Sequence, residues 1–239
     1  PRLIEMRFQD SVEAIWEGLA RYGRPIQYAH LSQPLEIWDT WTRIASRPVT
    51  FEPPSASFTL DWAMIQLLRS RRGRFATLTH AAGLSSTGDP DLDRLLPFDE
   101  PYHIPSSTAA LIATNRGRGR VIAIGTTVVR ALEHAARADG TIRSGNGIAT
   151  ERVGPLTQLR VVDAIVSGVH ERGTSHYELL RAFQDDESLE RMESEAEARG
   201  YRRHEFGDSV FLERSSSQFL EAVQTRSASP CVGVLREQQ

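Results

Sequence analysis

The feature that most constrains this chain lies in residues 121–137: an apolar run, Val121-Ile122-Ala123-Ile124, then Gly125-Thr126-Thr127, then a helical pattern over 128–137. An uninterrupted apolar run of strand length is buried on both faces, as in parallel sheets covered by helices. The apolar run over 159–166 repeats the strand signal, so the expected class is α/β with parallel strands. In such folds ligands bind at the carboxyl ends of the strands, which is where Gly125, Thr126 and Thr127 stand. Glycine lets the backbone approach a ligand, two hydroxyls can donate, and the start of a helix favours an anion such as a carboxylate. A threonine-capped turn accounts for the same spacing, and neither GxGxxG nor a P-loop occurs.

Elements on either side are read from the same periodicities. Residues 3–8 alternate like a strand, Ser11 opens a helix that Gly23 ends, and 25–30 read as a short strand. A helical spacing of Trp38, Trp41 and Ile44 spans 35–45, and a second amphipathic helix spans 60–72 with Gly73 as its cap. A strand over 74–79 ends at His80, and a small polar loop over 81–90 follows, of the kind that carries sites. Ser106 and Ser107 begin a helix to Thr114, further helices cover 179–183 and 189–199, and 209–212 form a last strand. Residues 214–239 read as an appended tail.

His30, His80 and His170 each directly follow a strand-like run, so all three are placed to meet in one pocket. Acid–base work suits them better than a metal, because spacings of this length make no metal signature. Each can equally satisfy backbone groups at a strand end. Asp163 interrupts the apolar strand and needs a donor, either in a structural network or in support of the site. Arg130 and Glu133 lie three residues apart on one helix face, where they either serve the site or pair with each other. The clusters Arg69, Arg71, Arg72, Arg74 and Arg116, Arg118, Arg120 read as phosphate contacts or as solvated loops and helix ends.

Composition removes several mechanisms. All 28 basic side chains are Arg, so no Schiff base, P-loop lysine or amine base is available. The single cysteine, Cys231, excludes an internal disulfide and a cysteine zinc cage, and makes a reducing, cytoplasmic setting the expectation. No apolar run reaches the ~18 residues of a membrane span. A net charge of -3 argues against attraction to nucleic acid over the whole surface, which leaves local arginines for that task.

The segment 119–133, the run Val161-Val162-Asp163-Ala164 followed by His170, Glu100 with Tyr102, Ile104-Pro105, and Phe206-Gly207-Asp208 resemble the S-adenosylmethionine:tRNA ribosyltransferase-isomerase family of queuosine synthesis. The likeness spans residues 11–213, the expected α/β catalytic domain. It implies a large, distorted barrel-like domain of mixed strands surrounded by helices, with a small inserted β-barrel domain mostly absent here. Residues 1–10 would be the end of that preceding region. The implied reaction moves the ribosyl unit of S-adenosylmethionine onto 7-aminomethyl-7-deazaguanine in a tRNA anticodon, rearranges it to an epoxycyclopentane, and releases adenine and methionine. S-adenosylmethionine is then a co-substrate, and no cofactor or metal is implied.

The resemblance also assigns roles. His80, His170 and Asp163 are the catalytic candidates, Asp163 through orientation. Gly125, Thr126, Thr127, Arg130, Glu133, Glu100 and Tyr102 are the substrate-binding candidates. Four positions depart from the family pattern: Thr59 and Phe98 stand where histidines are expected, Gly168 where an asparagine is, and Gly173 where a lysine is, with Arg172 beside it to restore the charge. These departures leave two alternatives, a relative with a different acceptor and a non-catalytic protein that binds S-adenosylmethionine or RNA. A methyltransferase is a third reading, opposed by the missing glycine-rich loop.

Overall fold

The computed structural model describes residues 5–28, 30–46, 52–71, 73–203, 206–215 and 233–235. Ser11 begins the first helix as expected: its Oγ accepts from the Ala14 N–H at 3.2 Å, and α1 (Val12–Tyr22) ends at Gly23. Residues 5–8 of the expected first strand carry no regular structure, and 1–4 lie outside the described residues. Residues 25–28 are likewise irregular, Ala29 lies outside the described residues, and His30 is exposed with its ring 5.7 Å from that of Tyr28. Of the helix expected over 35–45, only a 3-10 turn (Ile37–Thr40) forms. Asp39 folds back to accept from the Glu36 N–H at 2.8 Å, which closes a single turn instead of starting a long one.

Helix α2 (Trp62–Ser70) is capped by Asp61, which accepts from the Met64 N–H. Beyond it the Gly73 N–H reaches the Leu68 carbonyl at 2.7 Å, and a Cβ on Gly73 would sit 2.6 Å from that oxygen, so only glycine can close this end. The chain continues through β1 (Thr79–His80), α3 (Pro90–Asp93), β2 (Glu100–Ile104), α4 (Ser106–Asn115), β3 (Ile122–Ile124) and α5 (Thr126–Ala135). Then come β4 (Gly145–Ala149), β5 (Ala164–Gly168), α6 (Ser175–Leu180), α7 (Asp186–Ala198), β6 (Ser209–Glu213) and β7 (Gly233–Leu235).

These strands form two sheets. The first, in the order β1-β2-β4, is antiparallel, with His80 opposite Tyr102 and Glu100 opposite Ala149. The second runs β3-β5-β6-β7. Its β3 and β5 are parallel with Ile124 opposite Val166, as the apolar runs implied, while β6 and β7 are antiparallel. The fold is therefore mixed α/β, and among the described residues no closed barrel forms. Most of the expected tail over 214–239 lies outside the described residues, but within it 233–235 add an edge strand to β6.

Two departures from the expected strands have local causes. The strand expected over 159–166 begins only at Ala164, because the N–H groups of Arg160, Val161 and Val162 are taken by the Glu133 carboxylate rather than by a neighbouring strand. Strand β4 opens on Gly145-Asn146-Gly147, poor strand formers. Gly147 is nevertheless required, since a Cβ there would meet the Tyr102 ring at 2.3 Å. Helix α5 joins the two sheets, packing Val129, Ala131 and Leu132 into a core with Ile104, Ile165 and Phe183. Each of these side chains larger than alanine contributes about 1.5–3 kcal/mol when fully buried.

Candidate functional site

Parallel pairing puts the carboxyl ends of β3 and β5 at one edge, and the site grows from that edge. Gly125 follows β3 with φ +102°, a conformation that side chains other than glycine rarely adopt. Its N–H donates to the Val166 carbonyl at 2.8 Å, fixing the turn to β5. No side chain caps α5, so the first-turn N–H groups at Thr126, Thr127 and Val128 have no partner within the helix, and all three residues line a cavity of about 260 Å³. The 3-10 turn Ser55–Thr59 forms the facing wall, with Ala56 only 3.7 Å from where a Gly125 Cβ would lie.

The antiparallel sheet supplies the second wall through His80 and Glu100. Glu100 is buried and accepts from the Gly83 N–H at 2.6 Å and from Arg130 Nη1. Arg130 is only 3% exposed and also donates to the Ala149 and Glu151 carbonyls, at 2.9 and 3.0 Å. Most of its donors serve the protein, so it acts as a rigid prop for Glu100. His80 Nε2 lies 3.5 Å from Glu100 Oε2, yet neither ring nitrogen of this buried histidine makes a hydrogen bond. Burial holds its pKa below the ordinary histidine value; Glu100 pulls upward and Arg130 downward by smaller amounts. A buried imidazole lining a cavity with both nitrogens unsatisfied is a recognition element for a ligand with polar groups.

The third wall follows β5. Ser167 is buried and its Oγ lies 3.0 Å from His170 Nε2. The ring of His176, in the first turn of α6, stands 4.7 Å from that of His170 at a 47° tilt. Both histidines line the cavity, as do Gly168, Glu178 and, at its mouth, the exposed Arg152, whose Nη2 donates to the Arg94 carbonyl.

Of the residues expected from sequence, His80, His170, Glu100, Gly125, Thr126, Thr127 and Arg130 share this cavity. His30, Asp163, Glu133 and Tyr102 are not among its lining residues. Asp163 precedes β5 and lies at the far end of that strand from His170; it accepts from the Val121 N–H at 2.8 Å and stands 3.8 Å from Arg214. Glu133 is buried against the 160–162 backbone and does not pair with Arg130 on the surface. The Tyr102 hydroxyl bonds His134 Nδ1 at 2.9 Å. Arg172 is held by Glu190 at 2.5 Å and by Glu193 at 3.5 Å, outside the cavity lining, so it does not bring the expected charge to the site.

Sequence reasoning missed Ser167, His176 and Arg152. Thr174 was the available signal for His176: as the cap of α6, accepting from the Tyr177 N–H, it sets 176 in a first turn that follows directly on His170. No group of three or more His, Cys, Asp or Glu able to hold a metal occurs among the described residues. No helix is long and apolar enough to cross a membrane among the described residues.

A family model described as queuosine biosynthesis protein matches residues 2–212. The chain is 35% identical over 180 residues to the S-adenosylmethionine:tRNA ribosyltransferase-isomerase of Thiobacillus denitrificans, covering 73% of this chain and 52% of that one. It is 36% identical over 163 residues to the enzyme of the same name from Geobacter sulfurreducens, covering 66% and 48%. A crystal structure of S-adenosylmethionine tRNA ribosyltransferase from Thermotoga maritima is similar in fold, with a TM-score of 0.53 and 25% identity, covering 65% of this chain and 50% of that one. The chain thus spans about half the length of the curated relatives it matches.

Proposed function

The chain belongs to the queuosine biosynthesis protein family, and from that premise we propose that its cavity binds S-adenosylmethionine and that the protein transfers and isomerises the ribosyl unit onto a tRNA base. The observation that carries this reading is the convergence of a bare helix start, an unsatisfied buried histidine and a second histidine on one cavity. The methionine carboxylate takes the N–H groups at the start of α5, where the helix dipole adds to the hydrogen bonds. Glu100 gives the sulfonium an anionic wall, and Arg130 keeps that carboxylate in place.

The chemistry requires a base for the proton on the carbon beside the sulfonium and an acid for departing adenine. His80 is suited to the first task because burial keeps it neutral near neutral pH. His170, with the Ser167 hydroxyl on its Nε2, is suited to the second. Incubating the full chain with S-adenosylmethionine and a tRNA carrying 7-aminomethyl-7-deazaguanine releases free adenine under this reading, and His170→Ala reduces the rate by 100-fold or so, the usual scale for a general acid. Adenine release at the same rate in the variant removes His170 from the mechanism.

A second reading keeps the cavity and changes the acceptor. Gly168 favours it: this residue lines the cavity where the family pattern calls for an asparagine, so a hydrogen-bonding side chain is lost from the wall. The departures at Thr59, whose hydroxyl donates to the Ala56 carbonyl, and at the half-exposed Phe98 bear on it less directly. Adenine release with a free amine acceptor but none with the tRNA is its signature.

A further inference from the structure

The arginine run after α2 has no task in the reaction proposed above. Residues 62–88 hold four arginines, Arg69, Arg71, Arg72 and Arg74, and no Asp or Glu. Asp61, the acid just before them, is committed to the Met64 N–H at 2.6 Å as the cap of α2. Arg69, Arg71 and Arg74 are exposed, and so is Arg43 in the turn after Ile37–Thr40. No carboxylate among the described residues pairs with any of these four, whereas Arg172, Arg181, Arg199 and Arg203 are each held by one.

Two of the unpaired arginines meet in a groove. Arg43 and Arg69 line a second cavity, of about 350 Å³, together with Trp62, which is 61% exposed, and the half-buried Phe75. This groove adjoins the first cavity: Ile44 lines both. Thr77 lines the groove and His80 the first cavity, three residues and at most about 10 Å of chain apart. We propose that the groove holds single-stranded RNA next to the base that enters the first cavity, with Arg43 and Arg69 on phosphates and Trp62 and Phe75 against flanking bases. The inference rests on the reading of a tRNA base as acceptor, and adds the surface that receives its neighbours.

Charge and shape both fit that occupant. A guanidinium binds phosphate through two parallel hydrogen bonds, and an arginine with no carboxylate partner gives up no ion pair to do so. An aromatic face accepts any base, and cations interleaved with rings in one groove are what a flexible single strand needs. The span from Thr77 to His80 matches a few nucleotide steps of about 3.4 Å or more each. A lipid surface would meet the exposed arginines but would leave the recessed Phe75 ring unused. The groove also explains how a chain of net charge -3 attracts a polyanion, since its positive charge is concentrated on one acid-free segment.

Fluorescence anisotropy of a labelled anticodon stem–loop RNA with the full chain, over a salt series, tests this without turnover. Arg43→Gln and Arg69→Gln should each weaken binding and lower the slope of log affinity against log salt by about 0.7–1. Trp62→Ala should weaken binding by about 5- to 100-fold with the slope unchanged. Arg199→Gln, which removes the same charge at the end of α7, should change neither. Both groove arginines are exposed and unpaired, so their variants should keep the parent's urea midpoint. Affinity and slope that fall no further in Arg43→Gln and Arg69→Gln than in Arg199→Gln overturn the proposal. A parent that does not bind the RNA also overturns it, and capture of anionic phospholipid vesicles through the same arginines would then mark a membrane surface instead. RNA bound through the groove with no adenine released from S-adenosylmethionine and the modified tRNA rejects the ribosyl-transfer reading and leaves the groove standing.

Discussion

At the scale of single residues, Gly125 and Gly147 make distinct demands. Gly125 has space for a Cβ, with its nearest neighbours at 3.6 and 3.7 Å, but its φ of +102° penalises any side chain. Gly125→Ala should destabilise the chain by about 1–2 kcal/mol and weaken S-adenosylmethionine binding, measured by urea denaturation and calorimetry, because the start of α5 must rotate to relieve the strain. Gly147 has no such backbone constraint; there the obstacle is the Tyr102 ring. Gly147→Ala should cost about 1–3 kcal/mol by overpacking, and unchanged stability would mean that the ring has another place to go. His80 gives a pH prediction. Its folded pKa is depressed from 6.5, so below that pH the unfolded chain binds a proton that the folded chain refuses. The stability it contributes is therefore complete above pH 6.5 and is lost as the pH falls towards the folded pKa. Denaturation midpoints followed from pH 8 to pH 5 should fall less steeply in His80→Gln than in the parent; parallel curves would contradict this. Gly125 was legible in the sequence because it ends an apolar run, and His80 through a strand expected over 74–79 of which only Thr79–His80 forms; His176 was not, since its meaning depends on a ring brought beside it by the return from β5 to α6.

Among the elements, α5 carries the fold and the site at once. One face packs into the core through Val129 and Leu132, the residues of its uncapped first turn line the cavity, and Arg130 and Glu133 each fix a loop of the opposite sheet or strand. The sequence pattern gave the helix and the strand before it, since both follow from periodicity. It misplaced the start of β5 because backbone N–H groups that look available to a sheet are bound by a side chain distant in sequence. It passed over β2 and β4, whose pairing is decided by Tyr102 seated over Gly147 rather than by strand propensity. Glu133 is the test of this level: Glu133→Gln replaces one of its two acceptor oxygens by a donor facing the Arg160–Val162 backbone, and should cost about 1–3 kcal/mol in chemical denaturation for the donors left unpaired. A loss within a few tenths of a kcal/mol would mean that these N–H groups find water.

For the whole molecule, two small sheets held together by one helix leave an open junction between them, and the cavity lies there, with Thr79, His80 and Glu100 from one sheet and Ile124, Ser167 and Gly168 from the other. Under the proposed reading S-adenosylmethionine occupies that junction, with its carboxylate towards the start of α5 and its sulfonium towards the histidines. The most direct measurement is a crystal structure of the full chain soaked with S-adenosylmethionine. The account predicts the methionine carboxylate within hydrogen-bond distance of the Thr126–Val128 backbone N–H groups, with the sulfonium side of the ligand facing His80 and His170. Ligand bound elsewhere, or a cavity that stays free of it at saturating concentration, would contradict the account.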